Sequence, residues 1–186
     1  MFKKKKIEGG IDMEFIFETN YDQKGVSAMA EALRKTIRKK KSKRTRISGW
    51  IIILLAILIS IPAKGEEFVL EARMIITWIV VLIMVITLIF EDKINGYIAK
   101  KRMVTGVDKA TTTFKEENYI IETKIGKSEF YYKNIKEIAE TDDYFVFIFD
   151  QSHAQIYAKK GITSGNIDDF RKFIIKKTKK EIQEIK

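Results

Sequence analysis

The sequence predicts an α+β membrane protein: a two-helix transmembrane hairpin joined to a small antiparallel β domain that is closed by a C-terminal helix. Two apolar runs without a charged residue, Ile47–Ala63 and Met74–Phe90, hold 17 residues each and are separated by 10 residues. Each run extends roughly 25 Å as an α-helix, at the short end of what a bilayer core requires. From residue 110 onward, short β-type segments alternate with turn residues, which is typical of a small antiparallel sheet or barrel.

The charges that flank the apolar runs predict the orientation of the hairpin. Nine of the 13 residues 34–46 are basic, whereas the connector 64–73 has two basic and three acidic residues. Because positive charge stays on the cytoplasmic side, we expect a multi-pass protein of the cytoplasmic membrane with both termini cytoplasmic. The residues expected to contact the membrane surface are Arg34, Lys35, Arg38, Lys39, Lys40, Lys41, Lys43, Arg44, Arg46, Lys100, Lys101 and Arg102.

The net charge of +10 favours anionic lipid headgroups as the first partner of this chain. Each Lys or Arg near such a surface contributes about 1 kcal/mol of attraction. A basic run is also a signal for nucleic acid, but its position against an apolar span favours lipid, and no nucleic-acid partner is expected. Trp50 and Trp78 stand near the start of each run, where indole rings anchor helices at the membrane interface, although Trp78 lies deeper than an anchor usually does.

The segments before and after the hairpin are expected to be cytoplasmic. Residues 1–12 are expected to be a flexible N-terminus too polar for a signal peptide, and either Met1 or Met13 is compatible with the physiological start. Residues 13–46 are predicted to form a strand over 13–19 and then a basic amphipathic helix, in which Val26, Met29, Leu33 and Ile37 form one apolar stripe. Asn20 or Asp22 is its candidate cap. The hairpin occupies 47–90, and a helical linker follows over 91–109.

The β domain is predicted over residues 110–186. Its segments are 111–114, a hairpin of 119–125 with 128–132, then 134–139, 144–149 and 154–158. Segment 144–149 (YFVFIF) is the most apolar, and alternation leaves either Phe145, Phe147 and Phe149 or the opposite set buried; we choose the phenylalanines. The closing helix is predicted over Ile167–Lys186.

The strand at residues 13–19 is expected to complete the sheet of the distant β domain. Phe15 and Phe17 need a buried face, and no other strand lies near them in sequence. The hairpin returns the chain to the same side of the membrane, which makes this pairing sterically feasible.

No catalytic or metal-binding constellation is visible, so neither an enzyme nor a cofactor is expected. The chain has no cysteine and one histidine, His153, in a predicted turn. The pairs Asp142-Asp143 and Asp168-Asp169 fit a turn and a helix N-terminus better than acid–base catalysis. Gly161–Gly165 lacks the Lys-Ser/Thr ending of a phosphate-binding loop.

The layout resembles the YcxB-like family of bacterial membrane proteins. The resemblance is carried by Phe114–Ile120 (FKEENYI), by Phe130–Ile135 before Glu137, by Asp142–Phe149, and by Ile156–Lys160 before Asp169-Phe170. Ala158 departs from the family pattern, which usually has proline there. The resemblance implies a C-terminal module similar to bacterial pleckstrin-homology (PH)-like domains, built as a β-barrel or sandwich.

These features predict a non-enzymatic protein of the bacterial cytoplasmic membrane that presents a PH-like binding module at the inner leaflet to a protein or lipid partner. The alternative is an immunity protein that protects its producer against a membrane-acting bacteriocin or secreted toxin. The sequence identifies no protein partner, and it is compatible with a homo-oligomer.

Overall fold

The computed structural model describes residues 14–61 and 72–185, which form five α-helices and nine strands in an α+β arrangement. Residues 62–71, which include the end of the first apolar run and most of the connector, lie outside the described part, as does the predicted flexible N-terminus. The helices are α1 (Gln23–Lys35), α2 (Lys39–Ile59), α3 (Ala72–Ile89), α4 (Glu91–Lys101) and α5 (Ile167–Thr178). The strands are β1 (Phe15–Asn20), β2 (Lys109–Phe114), β3 (Asn118–Thr123), β4 (Gly126–Tyr131), β5 (Glu137–Glu140), β6 (Tyr144–Ile148), β7 (Ala154–Ala158), β8 (Ile162–Ser164) and β9 (Ile182–Glu184).

The strands form two sheets, ordered β4-β3-β2-β1-β8 and β7-β6-β5-β9. All neighbours are antiparallel except β5 and β9. The strand before the hairpin joins the distant domain as predicted: Phe15 lies opposite Phe114, and Asn20 opposite Lys109. Within the described residues no strand runs from one sheet into the other. The domain is therefore a sandwich, and the closed-barrel alternative is wrong.

The main core lies between the two sheets and beneath α5. Phe17 and Phe114 of the first sheet meet Phe145 and Phe147 of the second, and all four are fully buried. The α5 residue Phe170 closes this core, with its ring centroid 4.7 Å from that of Phe17 and 4.9 Å from that of Phe114. The predicted closing helix thus exists and seals the sandwich.

A second core lies on the outer face of the second sheet, under α1. Ala32 and Leu33 of α1 pack against Val146, Ile148 and Ile156. The prediction that only one face of β6 is buried is therefore wrong. The phenylalanines Phe145 and Phe147 face the inter-sheet core as chosen, but α1 buries the opposite face as well. A near-continuous apolar run is typical of a strand buried on both faces.

The end of the chain departs from the predicted helix. α5 stops at Thr178 because Lys179 adopts a left-handed conformation with φ 55°. The chain then returns as β9, pairing in parallel with β5, and Ile185 enters the second core. The pattern of lysines and isoleucines in this segment suits a helix face, so only the tertiary pairing determines the strand.

One described helix, α3, is long and apolar enough to cross a membrane, with 18 residues and a mean hydropathy of 2.6. The second predicted span is not supported as an apolar helix of that length. α2 begins at Lys39, so the basic run occupies its first two turns, and its described apolar part is residues 47–59. α1 and α2 are separate helices, since the chain is interrupted at Thr36–Arg38.

Candidate functional site

The candidate site is the junction at which the helices α1–α4 meet the β sandwich. α1 and α4 cross with almost no space between their backbones: a Cβ built on Gly96 would stand 2.7 Å from the Cα of Ser27. Glycine is required at this position because any side chain would collide with the α1 backbone. The crossing joins the helix that precedes α2 to the helix that follows α3, so the adjoining ends of α2 and α3 lie beside the sandwich.

Ion pairs and hydrogen bonds hold this junction together. Arg34 of α1 donates from Nε and Nη2 to the two carboxylate oxygens of Asp92 in α4, at 2.7 and 2.6 Å. Hydrogen bonding to Asp92 raises the pKa of Arg34, so its guanidinium stays charged in this bidentate contact. Arg46 of α2 donates to the Leu88 carbonyl at 3.0 Å and lies 3.4 Å from Glu91.

The twelve predicted surface cations divide into two groups. Five lie against protein groups: Arg34 and Arg46 as above, Lys35 with Glu31 at 2.7 Å, Arg38 with the Gln151 carbonyl at 2.5 Å, and Lys100 with the Tyr21 carbonyl at 2.6 Å. The other seven are exposed and form no ion pair with another residue in the described ranges: Lys39, Lys40, Lys41, Lys43, Arg44, Lys101 and Arg102. The basic run therefore combines structural contacts with a free cationic surface.

A cavity of about 610 Å³, which we call the basic groove, opens between α1, the start of α2, α4 and the β6–β7 turn. Its apolar wall includes Leu33 and Ile98. Its cationic lining consists of Arg34, Arg38, Lys41 and Arg102, against a single acidic residue, Glu91. Asp92 neutralises Arg34, and Glu91 is paired with Arg46. The groove therefore keeps the uncompensated positive charge of Arg38, Lys41 and Arg102.

Two buried polar atoms in the basic groove lack a hydrogen-bond partner among the described residues. These are Oγ of Ser42, in the first turn of α2, and, at the start of α4, Oε2 of Glu91, which has only the 3.4 Å ion pair with Arg46. Buried polar atoms normally find a partner in the protein, in water or in a ligand. The Ser42 hydroxyl is therefore available to an acceptor that enters the groove.

A second cavity of about 840 Å³, which we call the junction cleft, lies on another side of the α1–α4 crossing and is bordered by the β5–β6 turn. Lys24 pairs there with Asp143 at 2.5 Å, and Lys93 lies over the ring of Phe90 at 5.5 Å. Hydrogen bonding from Lys24 lowers the pKa of Asp143. The charges in this cleft are mixed and largely paired, so it offers no preference for an anion.

The two tryptophans lie outside both cavities, on exposed faces of their helices. Trp50 is 49% exposed on α2 and Trp78 is 47% exposed on α3. They share these faces with a large exposed apolar surface: Ile47, Ile51, Ile52, Leu54, Leu55, Leu58 and Ile59 of α2, and Ile75, Ile76, Ile79, Val80, Leu82, Ile83, Ile86 and Ile89 of α3.

The acidic pairs and His153 occupy structural positions. Asp143 pairs with Lys24, and Asp168 pairs with Arg171. The backbone N–H of Asp169 donates the α5 cap hydrogen bond to Oδ1 of Asn166, and the Asp169 carboxylate accepts one from Nδ2 of Asn166. His153 Nδ1 lies 2.8 Å from Asp150 in an exposed turn. No group of three or more His, Asp or Glu side chains in the described ranges is arranged to hold a metal ion.

Sequence reasoning missed the groups that build the basic groove. Asp92 and Gln151 supply partners for Arg34 and Arg38 from 58 and 113 residues away. Gly96 interrupts a helical pattern, and that interruption was the one available sign of a close helix crossing. Ser42 carries no signal of its own within the basic run.

Comparison with known proteins yields one match, to a part of the sandwich. No curated protein and no solved structure matches the chain. The family model described as YcxB-like protein matches residues 114–174, which is about a third of the chain and runs from the end of β2 into α5. Over those residues the chain is similar to YcxB-like proteins, and the match supports that family.

Proposed function

We propose that this chain is a non-enzymatic protein of the bacterial cytoplasmic membrane, in which α2 and α3 form a transmembrane hairpin and the sandwich is a PH-like binding module at the inner leaflet. The observation that carries this proposal is the exposed apolar surface on both helices. An uncovered surface of this size is not stable in water, so lipid or protein must cover it.

The position of the charges favours lipid, rather than protein, as the cover of this apolar surface. On α3, Arg73 and Glu91 enclose 17 residues without a charge, a rise of about 25 Å, close to the roughly 30 Å hydrocarbon core of a bilayer. On α2, Arg46 lies beside Glu91, so the charged boundaries of the two helices coincide. Gly49 lies against Leu88, one turn further into the apolar region.

The positions of the two tryptophans fit the same membrane-spanning region. Trp50 comes four residues after Arg46, and Trp78 comes five residues after Arg73. In the proposed hairpin, α2 leaves the level of Arg46 and Glu91, and α3 returns to it. Trp50 would therefore lie at the end near the sandwich, and Trp78 at the far end. Each indole would then lie roughly 6–8 Å inside its charged boundary, as in the two aromatic belts of a membrane protein.

The basic surface supports the inner leaflet as the location of the sandwich. The seven exposed cations of α2 and α4 lie on the sandwich side of the Arg46–Glu91 level. Anionic lipids and the positive-inside rule both favour this side as cytoplasmic. The module is proposed to bind a lipid or protein there, since neither the described cavities nor the acidic pairs assemble a catalytic arrangement.

Membrane extraction of matched arginine variants tests this proposal. Leu82 of α3 and Ile125 of the β3–β4 turn are each 60% exposed, and Ile79 and Ile175 are exposed as well. I79R/L82R places two charges in the proposed span, at a cost of about 2.5–3.5 kcal/mol each, and should release the protein from membranes in alkaline carbonate. I125R/I175R should leave it in the membrane pellet. Equal behaviour of the two variants, or a wild-type chain that is recovered without detergent, would refute membrane insertion.

A further inference from the structure

We infer that the basic groove binds the phosphate headgroup of an anionic phospholipid as a discrete site, separate from the diffuse attraction of the juxtamembrane lysines. This inference rests on the proposed function, because it places the groove beside the inner leaflet. It assigns a defined lipid ligand to a surface that the sequence identified only as generally cationic.

The charge of the groove selects an anion. Arg38, Lys41 and Arg102 contribute cations from three different elements, the α1–α2 break, α2 and the end of α4. The other charged groups of the lining, Arg34 and Glu91, are engaged by Asp92 and Arg46. Guanidinium and ammonium groups converging on one cavity are the usual means by which proteins hold phosphate.

The polar atoms of the groove suit a phosphate oxygen. The buried Ser42 hydroxyl lacks a partner and can donate one hydrogen bond to it. Arg38 already donates from Nε to the Gln151 carbonyl at 2.5 Å, which holds its guanidinium at the groove while its other N–H groups are free to donate. These contacts would add directional bonds to the electrostatic attraction.

The position of the groove favours a lipid over a soluble phosphate. The α2 residue Thr45 and the α4 residue Glu91 line its end at the level where the apolar runs begin. A headgroup could therefore enter the groove while its acyl chains stay beside the apolar surface of α2. The groove wall also contains Leu33 and Ile98, which can contact the glycerol backbone.

Trp50 provides a local probe of this site, and Trp78 provides the control at the opposite end of the hairpin. The full-length chain carrying W78F is reconstituted in phosphatidylcholine vesicles with a rising fraction of phosphatidylglycerol whose acyl chains are brominated. Quenching of Trp50 then reports the preference for the anionic lipid around the groove. The same titration on a W50F chain reports the preference around Trp78.

The decisive comparison is between two triple variants that remove the same charge. R38Q/K41Q/R102Q removes the groove cations, and K39Q/K40Q/K43Q removes three exposed cations of α2 that do not line the groove. We expect the preference at Trp50 to fall about tenfold in the first variant and less than about twofold in the second. The single variants K41Q and R102Q lose no described ion pair and should each show part of the loss in a folded chain.

Three results would overturn this inference. Equal losses in the two triple variants would mean diffuse attraction, and so would equal wild-type preferences at Trp50 and Trp78. Loss of the wild-type preference in millimolar inorganic phosphate would assign the groove to soluble phosphate. A chain that does not insert into the vesicles at all fails the proposed function instead, and carbonate extraction detects that failure independently.

Discussion

Gly96 of α4 lies against the backbone of Ser27 in α1, and a Cβ at this glycine would stand 2.7 Å from the Ser27 Cα and 2.8 Å from its nitrogen. The two residues bring α1, which precedes α2, into contact with α4, which follows α3. Because Leu33 of α1 also packs on the second sheet, this contact links the apolar helices to the sandwich.

Substitution G96A should therefore destabilise the protein even though alanine favours helices. Overpacking of a close contact costs about 1–3 kcal/mol, more than the roughly 1 kcal/mol that alanine contributes to a helix. The control is G126A, because a Cβ at Gly126 meets nothing within 4 Å. Denaturant unfolding of the detergent-solubilised chain measures both variants. A G96A protein as stable as G126A would mean that the helices can separate without loss.

The strand β1 should contribute core stability to the distant sandwich. Phe17 is fully buried among Phe114, Tyr157 and Phe170, so F17A is expected to cost about 3–5 kcal/mol. E18A, at the neighbouring exposed position, is the matched control and should change stability by less than about 0.5 kcal/mol. The prediction fails if the two variants unfold at the same denaturant concentration.

The Arg34–Asp92 pair should show strong coupling in a double-mutant cycle. Its side chains are 16% and 21% exposed, and the contact is bidentate. We expect R34Q and D92N to be coupled by about 1–3 kcal/mol in unfolding free energy. The exposed Lys24–Asp143 pair, with 70% and 32% exposed side chains, should give a distinctly smaller coupling. Equal couplings would contradict the structural role assigned to Arg34.

Acid stability should depend on Glu140. Burial alone would raise the pKa of this carboxyl, but hydrogen bonds from Arg171 and Lys159 outweigh it and hold the pKa below its ordinary value of 4.5. Because the folded-state pKa is the lower one, the carboxylate stabilises the fold above pH 4.5 and loses that effect as the pH falls through the folded-state pKa.

Substitution E140Q tests this contribution. It should cost about 1.5–3 kcal/mol at neutral pH, since charge-assisted hydrogen bonds to Arg171 and Lys159 are lost. The difference between wild type and E140Q should shrink as the pH falls below 4.5. Parallel stability curves for the two proteins over the acidic range would show that Glu140 does not titrate with folding.

Much of the sandwich was predictable because its strands carry local signals. The alternation of Phe15 and Phe17, the turn before Tyr119 and the apolar run of β6 each indicated a strand, and the alternation in β1 also indicated the buried face. The parallel strand β9 carried no such signal. It follows a left-handed lysine, where glycine would have marked the end of α5.

The basic groove was not predictable, because its shape depends on contacts distant in sequence. The helix is interrupted at Thr36–Arg38, between α1 and α2, yet no glycine or proline marks the interruption. The Thr36 hydroxyl instead donates to the Ala32 carbonyl at 2.6 Å. The partners of Arg34 and Arg38, Asp92 and Gln151, come from other parts of the fold.

Cysteine labelling in intact cells tests the central claim most directly, since the chain has no native cysteine. Single cysteines replace Glu67 in the connector, and Ser128 and Asp142, which are exposed on the sandwich. A membrane-impermeant maleimide should label E67C in intact cells, and S128C and D142C only after the membrane is permeabilised. Labelling of S128C and D142C in intact cells, with E67C protected, would mean that the orientation is reversed. Protection of all three cysteines until the membrane is permeabilised would contradict the transmembrane hairpin.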